Sequence, residues 1–259
     1  MKGFQEGPAV ESEKVPKGPH SPEEPKVSDK VAKFLEGLDL SQKKQQEAAA
    51  LLKEIESLET RALTDELTGL PNRAAFLGEL ARWQSLSERK GQDFCLVAFD
   101  LDGFKFVNDS FGHEMGNECL RLIAERVGGK LRPSDSFARI GGDEFIVLLP
   151  ETDEKEGMLT AEKVREVIQT EVTVALRERA AKKDPEKASD IQISASIGID
   201  SKKRDESRDV SALLRHVDYA SYVVKAAGKK GSLTYEQAHT LDAESGGAYE
   251  KAFLKEMGA

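Results

Sequence analysis

Apolar residues are scattered without period over the first 27 positions and become regular from Ser28 on. Val31, Phe34, Leu35 and Leu38 fall at helical spacing behind Ser28, a residue type suited to an N-cap. A break near Asp39–Ser41 precedes SQKKQQEAAALLKEIESLETRAL, where Ala48, Leu51, Ile55, Leu58 and Ala62 alternate at three and four residues. That a/d seam of about two heptads either joins two copies in a short parallel coiled coil or packs on the chain's own domain; we expect dimerisation. The period is lost in TDELTGLPNR, where Gly69 and Pro71 cannot continue a helix and Thr68 or Asn72 can cap the next one. Residues 73–89 predict an amphipathic helix that buries Phe76, Leu80 and Trp83 as core rather than as a stacking platform. Phe94 to Phe99 are almost continuously apolar, as in a strand covered on both faces. Asn117–Val127 predicts a helix closed by Gly128–Gly129, and SFARI and EFIVLLP predict strands turned at Gly141–Gly142. A charged helix over 160–181, a strand IQISASIGID, a helix Val210–Lys225 broken at Gly228, and a short strand SLTYE follow. This order predicts an α+β fold, a central sheet flanked by helices and preceded by a helical stalk.

Composition sharpens the boundaries. Five of the nine prolines lie in the first 30 residues, among Lys, Glu and Ser. Residues 1–27 therefore read as a disordered leader, 28–62 as the stalk, 63–236 as the main domain and 237–259 as a tail that adds a short helix. The net charge of −9 argues against a broad nucleic-acid footprint but leaves room for a nucleotide in a local basic pocket. Cys95 and Cys119 are too few for a disulfide framework, which suits a reducing, cytoplasmic setting. The N-terminus has no apolar signal core and no apolar run approaches a bilayer span.

Two segments carry candidate chemistry. In FDLDGFKFVND a buried strand runs into Asp100 and Asp102, where a carboxylate is costly unless a cation or donors oppose it. A hard divalent cation wants such oxygens, while Lys105 and the N–H groups of Gly103 and Phe104 suit a phosphate. Strand-end acids that merely face water are the alternative. In RIGGDEFIVLLP, Asp143 and Glu144 follow two glycines whose lack of side chains lets a ligand approach the backbone. If this hairpin pairs beside the 94–101 strand, its acids meet Asp100; otherwise it is a solvated acidic turn.

Taken together, TDELTGLPNR, FDLDGFKFVNDSFGHEMGN, RIGGDEF, ASIGID and DYASYVVKAAGKKG closely resemble the GGDEF family of diguanylate cyclases over roughly residues 60–236. The resemblance implies a polymerase-palm-like sheet and condensation of two GTP into cyclic di-GMP across a two-fold dimer, with release of two pyrophosphates. It implies two Mg²⁺ (or Mn²⁺) per active site, with Asp100, the Leu101 carbonyl, Asp143 and Glu144 as ligands. Asp143 resembles the residue proposed to take the 3′-hydroxyl proton, and Lys105 matches the phosphate-binding lysine that follows the acidic motif of FDLDGFK. Lys225 and Lys229 match later triphosphate contacts; Lys229 stands where Arg is usual and offers a point charge in place of a fork. Asn108 matches a base-contacting asparagine, His113 shapes the nucleotide loop, and Gly141 and Gly142 form the tip. Asn117 ends the GHxxGD pattern in Asn: an aspartate accepts from both N1–H and N2 of guanine, whereas asparagine has one acceptor and can pair with adenine. GTP is the expected substrate, with ATP use and a cyclic GMP-AMP product as the alternative. Arg132 and Asp135 match the family's RxxD product-inhibition site. A non-catalytic cyclic di-GMP receptor is the rival reading, but such a chain need not keep Asp100, Asp143, Glu144 and both tip glycines. Asp65 reads as a hinge that pairs with Arg139, and His20, His216 and His239 as surface residues.

Overall fold

The computed structural model describes residues 27–36, 42–202, 209–228 and 230–258; most of the leader, the break near Asp39–Ser41, His20 and Lys229 lie outside the described residues. A five-stranded sheet in the order β2-β3-β1-β4-β5 forms the centre, from β1 (Phe94–Asp102), β2 (Ser136–Gly141), β3 (Glu144–Pro150), β4 (Ser194–Lys202) and β5 (Ser232–Thr234). All neighbours are antiparallel except β4 and β5.

The near-continuous apolar run of β1 has its reason in two clusters. Cys95, Val97, Phe99 and Leu101 pack on one face with Val107, Leu122, Ile123 and Ile168. These come from α4 (Phe104–Phe111), α5 (His113–Gly128) and the segment after α6 (Glu154–Val167). Phe94, Leu96 and Ala98 pack on the other face with Phe76, Leu80 and Trp83 of α3 (Arg73–Lys90), and with Leu213 and Val217 of α9 (Val210–Ala226). A strand covered on both sides has no polar alternation to show. Asn72 caps α3 by accepting from the Ala75 N–H.

Several expectations are corrected. FKFVNDSF, to which the pattern assigns no element, is helix α4, and α5 starts at His113 rather than at Asn117. The hairpin turns at Gly142–Asp143, because Gly141 pairs with Glu144 and a bulge shifts the register between Arg139 and Gly141. The expected 160–181 helix begins at Glu154 and passes through a π-helical turn, Ile168–Val172, into α7 (Thr173–Ala180). A short α8 (Pro185–Ser189) follows, and β4 starts three residues later than IQISASIGID implies. Tyr235 leaves the last strand to begin α10 (Tyr235–Glu244), and the tail adds α11 (Ala248–Glu256) as well.

The tail is docked on α9. The Asp242 carboxylate is buried and accepts from the Tyr219 hydroxyl at 2.7 Å, from Ser245 Oγ and from the N–H groups of Tyr249 and Glu250. Burial pushes this carboxyl up, but those four donors outweigh it and hold the pKa at about 2. His216 is not a surface residue: half-buried, its Nδ1 lies 2.6 Å from Asp200 and its ring stacks on Tyr235. His239 is exposed, with its ring against Tyr219 and Tyr235. The stalk comprises α1 (Val27–Glu36) and α2 (Gln42–Leu63).

Candidate active site

The register of the sheet assembles the acids. Asp100 on β1 stands directly opposite Glu144 on β3, and Asp143 occupies the turn just before it. Burial, then the Asp100 charge, pushes the Asp143 carboxyl above its ordinary value, and the same two causes raise Glu144. Lys225, near the end of α9, reaches across to Asp100 with its Nζ 2.7 Å from Oδ1.

Asp102 behaves differently although it is only two residues further along β1. It is buried, its two oxygens each accept from Ser196 Oγ at 3.1 Å, and Oδ2 accepts from the Lys230 N–H at 3.0 Å. It is thus a satisfied structural carboxylate, and Asp100 is the one left for ligands. The Leu101 side chain is buried in the core, so only its backbone is available to a ligand.

Gly103 turns the chain from β1 into α4 at φ 86°, and a Cβ there would lie 2.2 Å from the Gln192 carbonyl oxygen. The first turn of α4 follows at once, with Phe104 half-buried, Lys105 exposed and amides that lack intrahelical partners. Asn108, half-buried on α4, rests against Gly116 of α5 so closely that a Cβ on Gly116 would lie 2.0 Å from its Oδ1. Asn117, next in sequence, and His113, one turn earlier, are exposed. The α4–α5 corner therefore holds Asn108, His113 and Asn117 together, beyond the acids at the end of β1.

The hairpin tip is tied to the base of the stalk. Arg139 NH1 donates to both Asp65 oxygens at 3.0 and 2.9 Å, and its Nε and NH2 donate to the Gly142 carbonyl at 2.9 and 2.6 Å. The Asp65–Arg139 pairing matches the expectation, whereas the grip on Gly142 was not foreseen. Burial pushes the Asp65 carboxyl up, but hydrogen bonds from Thr68 and Arg139 leave it below its ordinary value.

Arg132 and Asp135 form a tight turn in which Asp135 Oδ2 accepts from the Arg132 N–H at 2.8 Å. Burial raises the Asp135 carboxyl, and Arg132 offsets part of the rise. The turn lies at the far end of β2 from the glycine tip, about 17 Å away at 3.3 Å per residue.

The residues present suit a hard divalent cation in donor type: all are oxygens, crowded enough that the Asp100 charge opposes ionisation of both Asp143 and Glu144. Among the described residues no three His, Cys, Asp or Glu side chains already form a closed metal cage. Mg²⁺ ordinarily takes one or two carboxylates and completes its shell with water and substrate phosphate, so it does not require a ready-made cage.

Sequence reasoning passed over Asp218 and Arg73. Asp218 on α9 is driven up to about 6 by burial, then by the Glu144 charge, with Arg73 opposing. Asp218 lies within DYASYVVK, but only the packing of α9 on the sheet reveals its neighbours.

The sequence profile described as "Diguanylate cyclase, GGDEF domain" matches residues 62–231. Diguanylate cyclase DgcP of Pseudomonas aeruginosa is 37% identical over 185 residues, which is 71% of this chain and 26% of DgcP. Response regulator PleD of Caulobacter vibrioides is 34% identical over 169 residues, 65% of this chain and 35% of PleD. The chain thus spans about a quarter to a third of these curated relatives. Among solved structures, the coiled coil and GGDEF domain of DgcB from Caulobacter crescentus, in complex with c-di-GMP, superposes with a TM-score of 0.64 at 27% identity, covering 78% of this chain and 97% of that one. Diguanylate cyclase SiaD of Pseudomonas aeruginosa, in complex with its activator SiaC, gives a TM-score of 0.57 at 26% identity, covering 80% and 75%. No described helix is long and apolar enough to cross a membrane.

Proposed function

Since this chain belongs to the GGDEF-domain family of diguanylate cyclases, we propose that it condenses two GTP into cyclic di-GMP as a homodimer. Each 3′-oxygen attacks the α-phosphorus of the other nucleotide, one P–O bond forms and one breaks per step, and two pyrophosphates leave. The observation that carries the reading is the Asp100–Glu144 cross-strand pair with Asp143 at the turn beside it. Asp143, at the turn next to that pair, is the carboxylate we assign as acceptor of the 3′-hydroxyl proton. Asp100, the Leu101 carbonyl, Asp143 and Glu144 are the groups that would hold Mg²⁺ or Mn²⁺. When bound, the metal supplies charge neutralisation at the phosphates and a lower hydroxyl pKa. Lys105 and Lys225 contact phosphate, with Lys229 assigned the same role from the family motif, and Gly103 and Phe104 offer backbone N–H groups. Asn108, His113 and Asn117 frame the base, and Gly141 and Gly142 let the triphosphate approach the backbone. Arg132 and Asp135, far from the tip, bind product and restrain turnover. An activating protein, as SiaC is for SiaD, is the input we assign to the region before residue 62.

One observation favours a second reading of base choice. Asn117 is exposed on α5, next in sequence to the Gly116 that Asn108 rests against, and an amide there in place of a carboxylate gives up one acceptor toward guanine. Purified protein incubated with Mg²⁺ and GTP, ATP or both, with products identified by mass, tests both readings. Cyclic di-GMP from GTP alone is expected; a mixed product formed only with ATP would make the chain a cyclic GMP-AMP synthase. Asp143→Ala should abolish turnover while cyclic di-GMP still binds, and unchanged turnover would refute the mechanism. Binding of cyclic di-GMP with no product from any mixture would leave the receptor reading.

A further inference from the structure

The stalk is a helical hairpin. α1 folds back along α2, clasped by the Glu59 carboxylate, which accepts from the Val27 N–H at 2.7 Å, from Ser28 Oγ at 2.7 Å and from the Ser28 N–H at 3.4 Å. Ser28 is buried and Val31, Ala32 and Leu35 are half-buried, facing half-buried Ala48, Leu52, Ile55 and Glu59. The hairpin interior thus takes up Ala48 and Ile55, two of the five residues of the heptad seam. The others do not follow them inside. Leu51 and Leu58 are 59% and 56% exposed, and on α1 Val27 and Phe34 are 58% and 69% exposed.

These four residues form one surface. Leu51 and Leu58 are a heptad apart on α2, as Val27 and Phe34 are on α1. At about 100° per residue, both pairs lie roughly a quarter-turn round from the faces that pack together. Because the helices run antiparallel, both pairs are turned to the same side. The Glu59 clasp sets Val27 level with Leu58 and therefore Phe34, seven residues on, level with Leu51, seven back. The result is two apolar layers about 10 Å apart on one side of the hairpin.

We propose that a second copy of this chain docks on this face, so that the dimer is a four-helix bundle of two α1–α2 hairpins, with α1 supplying half of the contact. This rests on the dimeric reading above and specifies how the dimer is built. The surface is self-complementary, as an isologous contact requires. A two-fold axis along the stalk sets each α1 opposite the partner's α2 and keeps both catalytic domains at the same end. Charge favours that pairing: Lys30 borders the apolar face on α1 and Glu54 borders it on α2 at nearly the same level, so each meets its opposite across the axis. Setting α2 against α2 would place the Glu54 side chains together. A two-stranded coiled coil through α2 alone would instead first have to lift α1 off Ala48 and Ile55.

The test uses the full chain in sedimentation velocity over a concentration series, with turnover of GTP read on the same samples. Val27→Glu and Phe34→Glu change exposed α1 positions and should weaken the dimer at least tenfold, as should Leu51→Glu, while the far-ultraviolet dichroism is unchanged. A mixture of Phe34→Cys and Leu51→Cys chains should form a disulfide between copies; Cys95 and Cys119 are buried and should stay out of it. A dimer that survives both α1 substitutions, or a wild-type chain that is monomeric throughout, overturns the proposal. Turnover keeps the two readings apart. A hairpin dimer that makes no cyclic dinucleotide upholds the bundle and removes the cyclase; an active dimer insensitive to α1 does the reverse.

Discussion

Replacing Arg139 by Met keeps most of the apolar stem and removes the fork that joins the base of the stalk to the glycine tip. The Arg139 side chain is 12% exposed and that of Asp65 is 24% exposed, so the pair is largely shielded from water. Removing one partner of a buried pair typically costs 3–5 kcal/mol, chiefly because the other charge is stranded. Asp65 would be stranded only in part, since the Thr68 N–H and hydroxyl still donate to it at 2.9 and 2.7 Å. The Gly142 carbonyl loses two donors, but at an exposed tip water replaces them. A loss of about 2–3 kcal/mol follows, or a fall in Tm of about 4–12 °C at 2–4 °C per kcal/mol for a domain of this size. The pH dependence has a definite sign. Asp65 sits below its ordinary 3.8 in the fold, so the stability it contributes is fully present above that value and is lost as pH falls through the folded value. The gap between wild type and Arg139→Met, measured by urea unfolding, should therefore be full at pH 7.5 and shrink toward pH 3. Turnover should fall as well, because Asp143 follows the loosened Gly142 in the turn. A loss below about 1 kcal/mol at pH 7.5, or a gap of equal size at both ends of the pH range, would refute the account.

Gly116→Ala would set a Cβ 2.0 Å from Asn108 Oδ1, so the amide must move; titration with a fluorescent GTP analogue should show several-fold weaker binding. Asp218 is raised in the fold from 3.8 to about 6, so its ionisation weakens the fold as pH climbs between those values. Asp218→Asn should therefore be more stable than wild type in urea at pH 7.5 and show no advantage at pH 4. Asp242→Ala removes the acceptor for Tyr219, Ser245, Tyr249 and Glu250 at a buried position and should cost about 3 kcal/mol. Amide exchange along Ala248–Glu256 should rise with it, which mass spectrometry of deuterium uptake would detect.

What could be read in the sequence was whatever follows from spacing along the chain. The unbroken apolar run of β1 announces a covered strand, and two glycines before two acids announce a hairpin whose pairing with β1 then places Asp100 against Glu144. The turn itself was misplaced by one residue, because the bulge between Arg139 and Gly141 is a property of pairing and leaves no mark on local pattern. Helix α4 was hidden because its eight residues bury only Val107 and Phe111, too few to show a period. The stalk seam was legible as a row of apolar residues, but not the hairpin that takes Ala48 and Ile55 inside, since that depends on Glu59 finding Ser28.

Asp100 and Asp102 show where such reading must stop. They are the same residue type, on the same strand, two positions apart, and pattern assigns both the same role. Their difference is made by other elements: Ser196 on β4 and the Lys230 N–H turn to Asp102, whereas Lys225 from α9 turns to Asp100. One carboxylate is thereby saturated with fixed donors. The other is held by one flexible, partly exposed ammonium, the kind of partner that can be exchanged for a metal ion or carried over to a phosphate. The distinction between a structural acid and a candidate catalytic one is thus drawn by the neighbours, and a functional assignment to either residue needs the fold before it needs the motif.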